Sequence, residues 1–175
     1  MKSEEIVQIT PLVKRITAGN SSVFTGPGTN TYIVGKGEDL TVVDPGPALS
    51  EHIEAIVSSS SNLSRIIVTH THPDHSPGVS LLQAKVDIPA YGLITETTKN
   101  QDTSFKPAKM LSHGEVIEAE DHAFEVIHTP GHASNHLCYL LREEKLLFTG
   151  DHIMNGSTVV IAPPDGNMKD YLESL

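Results

Sequence analysis

The chain has 175 residues, of which 38% are hydrophobic and 19% charged, which is typical of a globular protein and excludes a disordered or fibrous one. A chain of this length can form one domain with a buried core of its own. The formal net charge of −10, with 12 scattered lysine and arginine residues, disfavours non-specific binding to nucleic-acid phosphates. No stretch is long and apolar enough to suggest a membrane span.

The N-terminal segment MKSEEIVQITPLVKR carries acidic residues where a secretory signal would carry a basic patch followed by an apolar run. We therefore expect a cytoplasmic protein. Cys138 is the only cysteine, so an internal disulfide is impossible, which agrees with a reducing compartment. Its apolar surroundings in HLCYLL predict a small buried side chain rather than a nucleophile.

The first half of the sequence predicts strands that alternate with helices. The β-branched runs PLVKRITA, NTYIVG and LTVVD predict three strands separated by glycine and proline turns. Apolar residues at helical spacing predict an amphipathic helix over residues 48–57. SRIIVTH then predicts a strand, GVSLLQAK a helix and VDIPAYG a short strand. This alternation is typical of an α/β layered fold.

The second half predicts a separate, mainly antiparallel sheet. TTKNQDTSFKPAKM is polar and long enough to be a functional loop. After it, EVIEA, AFEVIHT, HLCYLLR and KLLFTGD predict four short strands separated by turns. Two sheets with helices outside them would form an α/β, four-layer αββα sandwich.

The C-terminal segment DGNMKDYLESL predicts a helix that begins after Asn167, a good N-cap residue. Its apolar residues follow an i, i+3, i+4, i+7 stripe that runs into the last residue. Neither glycine nor a basic last turn ends this helix, so we expect the natural polypeptide to continue.

The stretch VTHTHPDHSPG, residues 68–78, holds three histidines and one aspartate within six positions. His70 and His72 are two residues apart at the end of a predicted strand, so both imidazoles can face one ion. Asp74 and His75 follow at the turn into the next helix, where they would face a neighbouring ion. The pattern predicts a metal site.

Two later segments offer further ligands at the ends of predicted strands. VIHTPGHASNH offers His128, His132 and His136, and LLFTGDH offers Asp151 and His152, of which only some can be ligands. The turns before His132 and Asp151 place both residues on loops that leave strands, where sites are usually built. Lone histidines are usually surface or core residues. We assign that role to His52, His113, His122, His128, His136 and His152.

With these motifs the sequence resembles the metallo-β-lactamase superfamily. The resemblance rests on VVDPG, the H-x-H-x-D-H string, TPGH and TGD, which occur in the family's order over nearly the whole chain. It implies one metallo-β-lactamase-like domain over residues 1–175, incomplete at its C-terminus. It also implies the αββα sandwich described above.

The resemblance assigns a role to each motif residue. One metal ion is expected to be bound by His70, His72 and His132. Asp74 and His75 are expected to bind a second ion, with Asp151 bridging the two. Asp44, in VVDPG, is implied to hold the ligand loop without touching metal, although an aspartate before Pro-Gly also forms turns in its own right.

The sequence departs from the family's pattern in one place. A last histidine normally follows the helix after the TGD motif and completes the second metal site. The only histidine after Asp151 is His152, which is adjacent and badly placed. We expect the missing ligand to lie in the absent C-terminal part.

The ligand set predicts a metal-dependent hydrolase. Imidazoles and carboxylates suit two divalent ions, Zn²⁺ in the first place, with Mn²⁺ and Fe²⁺ also compatible. Two ions roughly 3.5 to 4 Å apart would hold a hydroxide that attacks a phosphodiester, a (thio)ester or an amide. Asp74 could also accept a proton from the attacking water, which makes it the candidate catalytic residue.

For the substrate class we favour an unspecialised or nuclease-like hydrolase, with a glyoxalase II-like thioester hydrolase as the alternative. GPGTNTYIVG, VVDPGP, TPGHASNH and LLFTGDHIM are similar to the subgroup with beta-lactamase-like protein two, a single-stranded-RNA endonuclease, and with glyoxalase II, a thioester hydrolase. A single-stranded RNA or a small molecule is therefore expected. Binding of RNA would need basic and aromatic residues beside the site, for which the candidates are Lys99, Phe105, Lys106 and Lys109.

A non-hydrolytic metal-binding or diiron redox module is a further alternative. The intact ligand motifs argue against a degenerate module, and His75 occupies a position that permits hydrolysis. The sequence predicts neither the oligomeric state nor the substrate contacts.

Overall fold

A computed structural model describes residues 2–175 as two β-sheets packed face to face, with two helices on the outer face of the larger sheet. The larger sheet contains, in spatial order, β1 (Ile6–Gln8), β2 (Val13–Thr17), β3 (Asn30–Val34), β4 (Leu40–Val43), β5 (Leu63–Ile67), β6 (Ala90–Gly92) and β7 (Lys109–Met110). The smaller sheet contains β8 (Val116–Glu118), β9 (Ala123–His128), β10 (Leu137–Leu141) and β11 (Leu146–Phe148), in the spatial order β11-β10-β9-β8.

The larger sheet changes from antiparallel to parallel pairing at β4. Strands β1 to β4 pair antiparallel, whereas β4 to β7 pair parallel. Parallel neighbours need crossover connections, and α1 (Ser50–Ser59) and α2 (Gly78–Gln83) supply them between β4 and β5 and between β5 and β6. The segments that follow β4 and β5 therefore leave the sheet at the same edge, where ligands of α/β sheets usually bind.

One core lies between the larger sheet and the helices. Ile53 and Ile56 of α1 and Val79 and Leu82 of α2 are all less than 5% exposed and pack against one face of the sheet. Burial of each such side chain contributes about 1.5 to 3 kcal/mol, so the apolar stripes fix which faces of the helices point inward.

A second core lies between the two sheets. Val43 and Ile67 of the larger sheet meet Phe124, Val126 and Tyr139 of the smaller sheet there. Strand β5 alternates between the two cores, since Ile66 faces the helices and Ile67 faces the smaller sheet. Both residues at this end of the strand are therefore apolar, whereas Ser64 and Arg65 before them are half-buried.

The last helix, α3 (Met168–Ser174), packs on loops that leave the smaller sheet. The side chain of Asn167 caps it by accepting from the amides of Lys169 and Asp170. The amide of Asn167 donates to Gly131 O, and Ser174 Oγ donates to Pro130 O. Gly131 has φ 145°, and an added Cβ would lie 2.4 Å from the Cα of Tyr171, so only glycine permits this approach.

The predicted mixed α/β fold with two sheets is confirmed. The predicted helix over residues 48–57 begins two residues later, at Ser50, and ends at Ser59. Strand β1 was not predicted, because three residues are too few to show an alternating pattern and two of them are exposed. Among residues 2–175, no helix combines the length and the apolar character that crossing a bilayer requires.

Candidate metal centre

Three histidines converge just beyond the end of β5. The Nε2 atom of His70 lies 3.0 Å from Nδ1 of His72, and Nε2 of His132 lies 2.8 Å from the same Nδ1 atom. His70 and His72 follow β5 of the larger sheet, and His132 comes from the loop between β9 and β10 of the smaller sheet. Each sheet therefore contributes to the histidine cluster. Residues 62 positions apart in sequence thus meet at one point, as a common metal ion would require.

A second group of donors lies next to the first. The Nε2 atom of His75 is 3.4 Å from a carboxylate oxygen of Asp74 and 3.4 Å from one of Asp151. The other carboxylate oxygen of Asp151 is 3.5 Å from Nε2 of His132. Asp151 therefore lies between the two groups, the position that a bridging ligand would occupy. The assignment of these side chains as ligands stays a prediction.

The outer nitrogens of two histidines are fixed by groups that can only accept. Nδ1 of His132 donates to the carbonyl oxygen of Val160 at 2.6 Å, and Nδ1 of His75 donates to the carboxylate of Asp44 at 2.9 Å. Nδ1 is therefore protonated in both rings. Each Nε2 atom is left facing the cluster, which is the orientation that metal-ligating histidines show.

Asp44 accepts several of the hydrogen bonds that orient the histidines. It is 3% exposed, and its carboxylate accepts from the amide of Thr69 at 2.7 Å, from the Thr69 hydroxyl at 2.7 Å and from His75. Because the hydroxyl proton of Thr69 points to Asp44, its oxygen accepts from Nδ1 of His70, 3.0 Å away. Asp44 thus orients His75 directly and His70 through Thr69, without itself joining the ligand groups.

The backbone of Asp44 is held in an uncommon conformation. Its φ is 50°, in the left-handed region that non-glycine residues rarely adopt. Such a conformation costs on the order of 1 kcal/mol or more and persists only where surrounding contacts determine it. Here the three hydrogen bonds to the carboxylate supply those contacts, which favours a supporting role over simple turn formation.

The electrostatics of the cluster match cation binding. Burial, together with the neighbouring histidines, lowers the pKa of His70 well below its usual value, and the same causes lower that of His72 to about 4. Both rings are therefore neutral at pH 7, the form that binds metal.

Carboxylates control the remaining charges. Burial by itself would lower the pKa of His75, but Asp151, Asp44 and Asp74 outweigh burial and raise it well above the usual value. Burial would raise the pKa of Asp151, but the charge and hydrogen bond of His75 outweigh it and lower that pKa. In the metal-free protein His75 is thus a cation among three carboxylates, the place that a metal ion would take by displacing its proton.

The donor set fits the metals expected from the sequence. Neutral imidazole nitrogens and carboxylate oxygens suit Zn²⁺, Mn²⁺ and Fe²⁺, and the outer nitrogens are held as such sites require. Within residues 2–175, the two groups that could hold an ion are His70–His72–His132 and His70–His75–Asp151.

His136 was assigned to the core, and the structure adds that it touches the site. It is fully buried, and its Nε2 atom accepts from the amide of Asp151 at 3.2 Å, so Nδ1 carries the proton and donates to Thr129 Oγ1. Gly150, with φ 47°, allows this approach, since a Cβ there would lie 2.7 Å from Nε2 of His136. The spacing of His136 four residues after His132 was the only signal for this role.

His152, although adjacent to Asp151, lies outside both ligand groups. Its Nε2 atom donates to Ser174 O at 3.2 Å, and its ring packs on Tyr171 of α3 with centroids 5.1 Å apart. The side chain is 3% exposed. It serves to attach α3 to the loop that carries Asp151.

A cavity of about 460 Å³ opens above the ligand groups. Its floor contains His72, Asp74, His132 and Asp151. Apolar walls come from the loop between β2 and β3 and from the segment after β11, and they consist of Val23, Phe24, Met154, Val160, Ala162, Pro163 and Pro164. Lys99 also lines it. The predicted metal site therefore faces a pocket large enough for a small organic substrate.

The candidate RNA-binding residues do not form one surface. Phe105 is 6% exposed and packs in the helix-side core, so it cannot stack on a base. Lys109 pairs with Glu115. Of the four residues only Lys99 lines the cavity. Phe105 therefore does not contribute to an aromatic surface beside the site, because its ring packs in the core.

Known proteins resemble both the sequence and the fold. An atrochrysone carboxyl ACP thioesterase of a Cryptosporiopsis species is 34% identical over 163 residues, which are 90% of this chain and 48% of that protein. One of Aspergillus chevalieri is 37% identical over 161 residues, which are 89% of this chain and 50% of that protein. The chain thus spans about half the length of these curated relatives.

A solved metallo-beta-lactamase from Pontibacter korlensis superposes on 95% of this chain and 80% of its own, with a TM-score of 0.76 and 18% identity. At this identity the likeness concerns the fold alone. The profile of the Metallo-beta-lactamase superfamily matches residues 24–175, which include every predicted ligand. On this match, the chain is a member of the metallo-β-lactamase superfamily.

Proposed function

We propose that this chain forms the catalytic domain of a metal-dependent hydrolase that cleaves an acyl thioester. The observation that carries the proposal is the convergence of imidazole and carboxylate donors on the floor of an apolar cavity. The two relatives described above are named as thioesterases, which supports the thioester among the substrates that such a centre can hydrolyse.

The side chains would divide the work as follows. Two divalent ions, held by His70, His72 and His132 and by Asp74, His75 and Asp151, would supply a Lewis acid and acidify water. The chain itself orients the imidazoles through Asp44 and the carbonyl of Val160.

Asp74 is suited to move the proton. It lines the cavity, and although burial opposes ionisation, the charge of His75 and hydrogen bonds from His75 and Thr29 lower its pKa, so it is ionised at neutral pH. Its carboxylate can then accept a proton from the attacking water and return it to the departing thiolate. The apolar walls would exclude bulk water from the acyl group during this transfer.

The test compares thioester and RNA substrates. The full-length protein, loaded with Zn²⁺, should release thiol from an acyl thioester of N-acetylcysteamine, measured with a thiol reagent. His72→Ala should lower kcat/KM at least about 100-fold, since it removes a ligand from the floor. His113→Ala is the matched control, because His113 is exposed and lies outside the site. Cleavage of a fluorescent single-stranded RNA without any thiol release would overturn the proposal.

A further inference from the structure

Among residues 2–175, the exposed Lys99 is the one charged lining residue of the cavity that has neither an ion-pair partner nor a place in the wall's hydrogen bonds or the ligand groups. Its acidic lining residues are Asp74, Asp151 and Asp165. The first two belong to the ligand groups. Asp165 instead accepts from Ser134 N and Oγ, from Gln101 Nε2 and from Thr95 Oγ1, so its charge is used to hold the wall together. Within residues 2–175, no carboxylate lies in ion-pair distance of Lys99.

The loop that carries Lys99 is tied to the ligand segment. The amide of Asp102 donates to Thr71 O at 2.6 Å, and Thr71 Oγ1 donates to Oε1 of Gln101 at 2.5 Å. Thr71 stands between His70 and His72 in the sequence. The position of Lys99 is therefore set relative to the floor of the cavity by hydrogen bonds two and three residues away in the sequence.

The apolar wall is tied to the same segment from another loop. Val23 and Phe24 are 94% and 74% exposed, an unusual degree for side chains of this size that line a cavity. Their loop is closed at its base by Asn20, which binds the amide and hydroxyl of Thr29. Thr29 Oγ1 in turn donates to the carboxylate of Asp74 at 2.8 Å. The apolar tip and the cation are thus both positioned by the residues that carry the ligands.

We propose that Lys99 selects acyl thioesters that carry an anionic group, with the apolar part of the substrate covered by Val23 and Phe24. The proposal rests on the proposed function and names the substrate class for it. A thioester carbonyl above His72 and Asp74 leaves the acyl chain or the thiol arm against the apolar wall. An anion on either arm would pair with an ammonium that has no ion-pair partner in the described part of the chain.

Two different anionic groups of a thioester could pair with the Lys99 ammonium. A carboxylate could end the acyl group, or a phosphate could end the pantetheine arm of the thiol. The experiment therefore uses the acyl group in two forms, with a terminal carboxylate and with its methyl ester. It uses each form on two thiols, pantetheine and 4′-phosphopantetheine. The preferred pair identifies the source.

The wild-type, metal-loaded, full-length protein should favour one anionic form over its neutral counterpart by about two- to five-fold in kcat/KM, the size expected of an ion pair to an exposed lysine such as Lys99. Lys99→Met keeps the apolar stem and should abolish this preference by raising KM for the anionic substrate, with kcat unchanged. Lys99→Arg should restore most of it. Added salt should weaken the preference in the wild type alone.

Lys106→Met is the matched control, because Lys106 is exposed on the same loop and does not line the cavity. A thioether analogue of the preferred substrate gives a readout without turnover, and its Kd should rise in Lys99→Met by the same factor as KM. Equal use of anionic and neutral thioesters by the wild type, or a preference that survives in Lys99→Met, would overturn the selection by Lys99 while leaving the hydrolase intact. Failure to cleave any thioester would instead overturn the proposed function, and the selection with it.

Discussion

The carboxylate of Asp44 orients two predicted ligands, His75 directly and His70 through Thr69, although it belongs to neither ligand group. It accepts three hydrogen bonds at 2.7 to 2.9 Å, from both donors of Thr69 and from His75. An amide in the same place has one acceptor oxygen and an NH₂ group that can only donate. The charge and the acceptor count of an aspartate are therefore both needed here.

Asp44→Asn is expected to lower metal affinity about 10- to 100-fold, because His75 and Thr69 would lose the acceptor that orients them. Competition with a chromophoric chelator measures the affinity. The unfolding free energy should also fall by about 1 to 3 kcal/mol, since a buried donor loses its partner. Asp87→Asn, at an exposed position, is the control. Wild-type affinity in Asp44→Asn would mean that the aspartate only shapes the turn.

At the scale of elements, one side-chain hydrogen bond among the described residues couples the loop between β2 and β3 to the ligand segment. Thr29 Oγ1 donates to the carboxylate of Asp74 and accepts from Nδ2 of the Asn20 side chain. The same hydroxyl thus joins the base of the apolar loop to a predicted ligand. Its loss would release the tip of the loop without removing any cavity-lining side chain.

Thr29→Val is expected to reduce kcat/KM for a long-chain acyl thioester about ten-fold, because one buried hydrogen bond of roughly 1 kcal/mol or more is lost at the ligand itself. Thr29→Ser retains the hydroxyl and should keep most of the activity. Steady-state kinetics on both variants gives the comparison. If the valine and serine variants behave alike, the hydroxyl does not couple the loop to the site.

The elements differ in how far the sequence predicts them. Strand β5 and the ligands after it were predicted because an apolar run followed by alternating histidines leaves few other arrangements. Strand β1 was missed because its pairing with β2, rather than its own residues, makes it a strand. The cavity walls were missed for a related reason, since Val23 and Val160 come together only through contacts between distant loops.

At the scale of the whole molecule, the predicted ligands connect the two sheets. His70, His72 and His75 follow the larger sheet, whereas His132 and Asp151 follow strands of the smaller one. An ion bound by both sets would therefore join the two halves of the sandwich. It would bind the folded chain and not the unfolded one, in which these residues are far apart.

Metal removal is accordingly expected to lower the midpoint of thermal unfolding. At a free ion concentration of 100 times Kd, the bound ion adds about 2.7 kcal/mol, which corresponds to roughly 5 to 10 °C for a domain of this size. Thermal scans with Zn²⁺ and after chelation measure the shift. His72→Ala should lose most of it, whereas His113→Ala should retain it. A midpoint that chelation leaves unchanged would contradict a metal ion that joins the sheets.

The hydrogen bond from His132 to Val160 has a consequence for how such a site can change over time. The acceptor is a main-chain carbonyl, which any amino acid at position 160 supplies, while the Val160 side chain is 50% exposed and faces the cavity. Mutation there can alter what the pocket accepts and leave the imidazole of His132 fixed. New specificities can therefore evolve at this wall without passing through variants that have lost the metal.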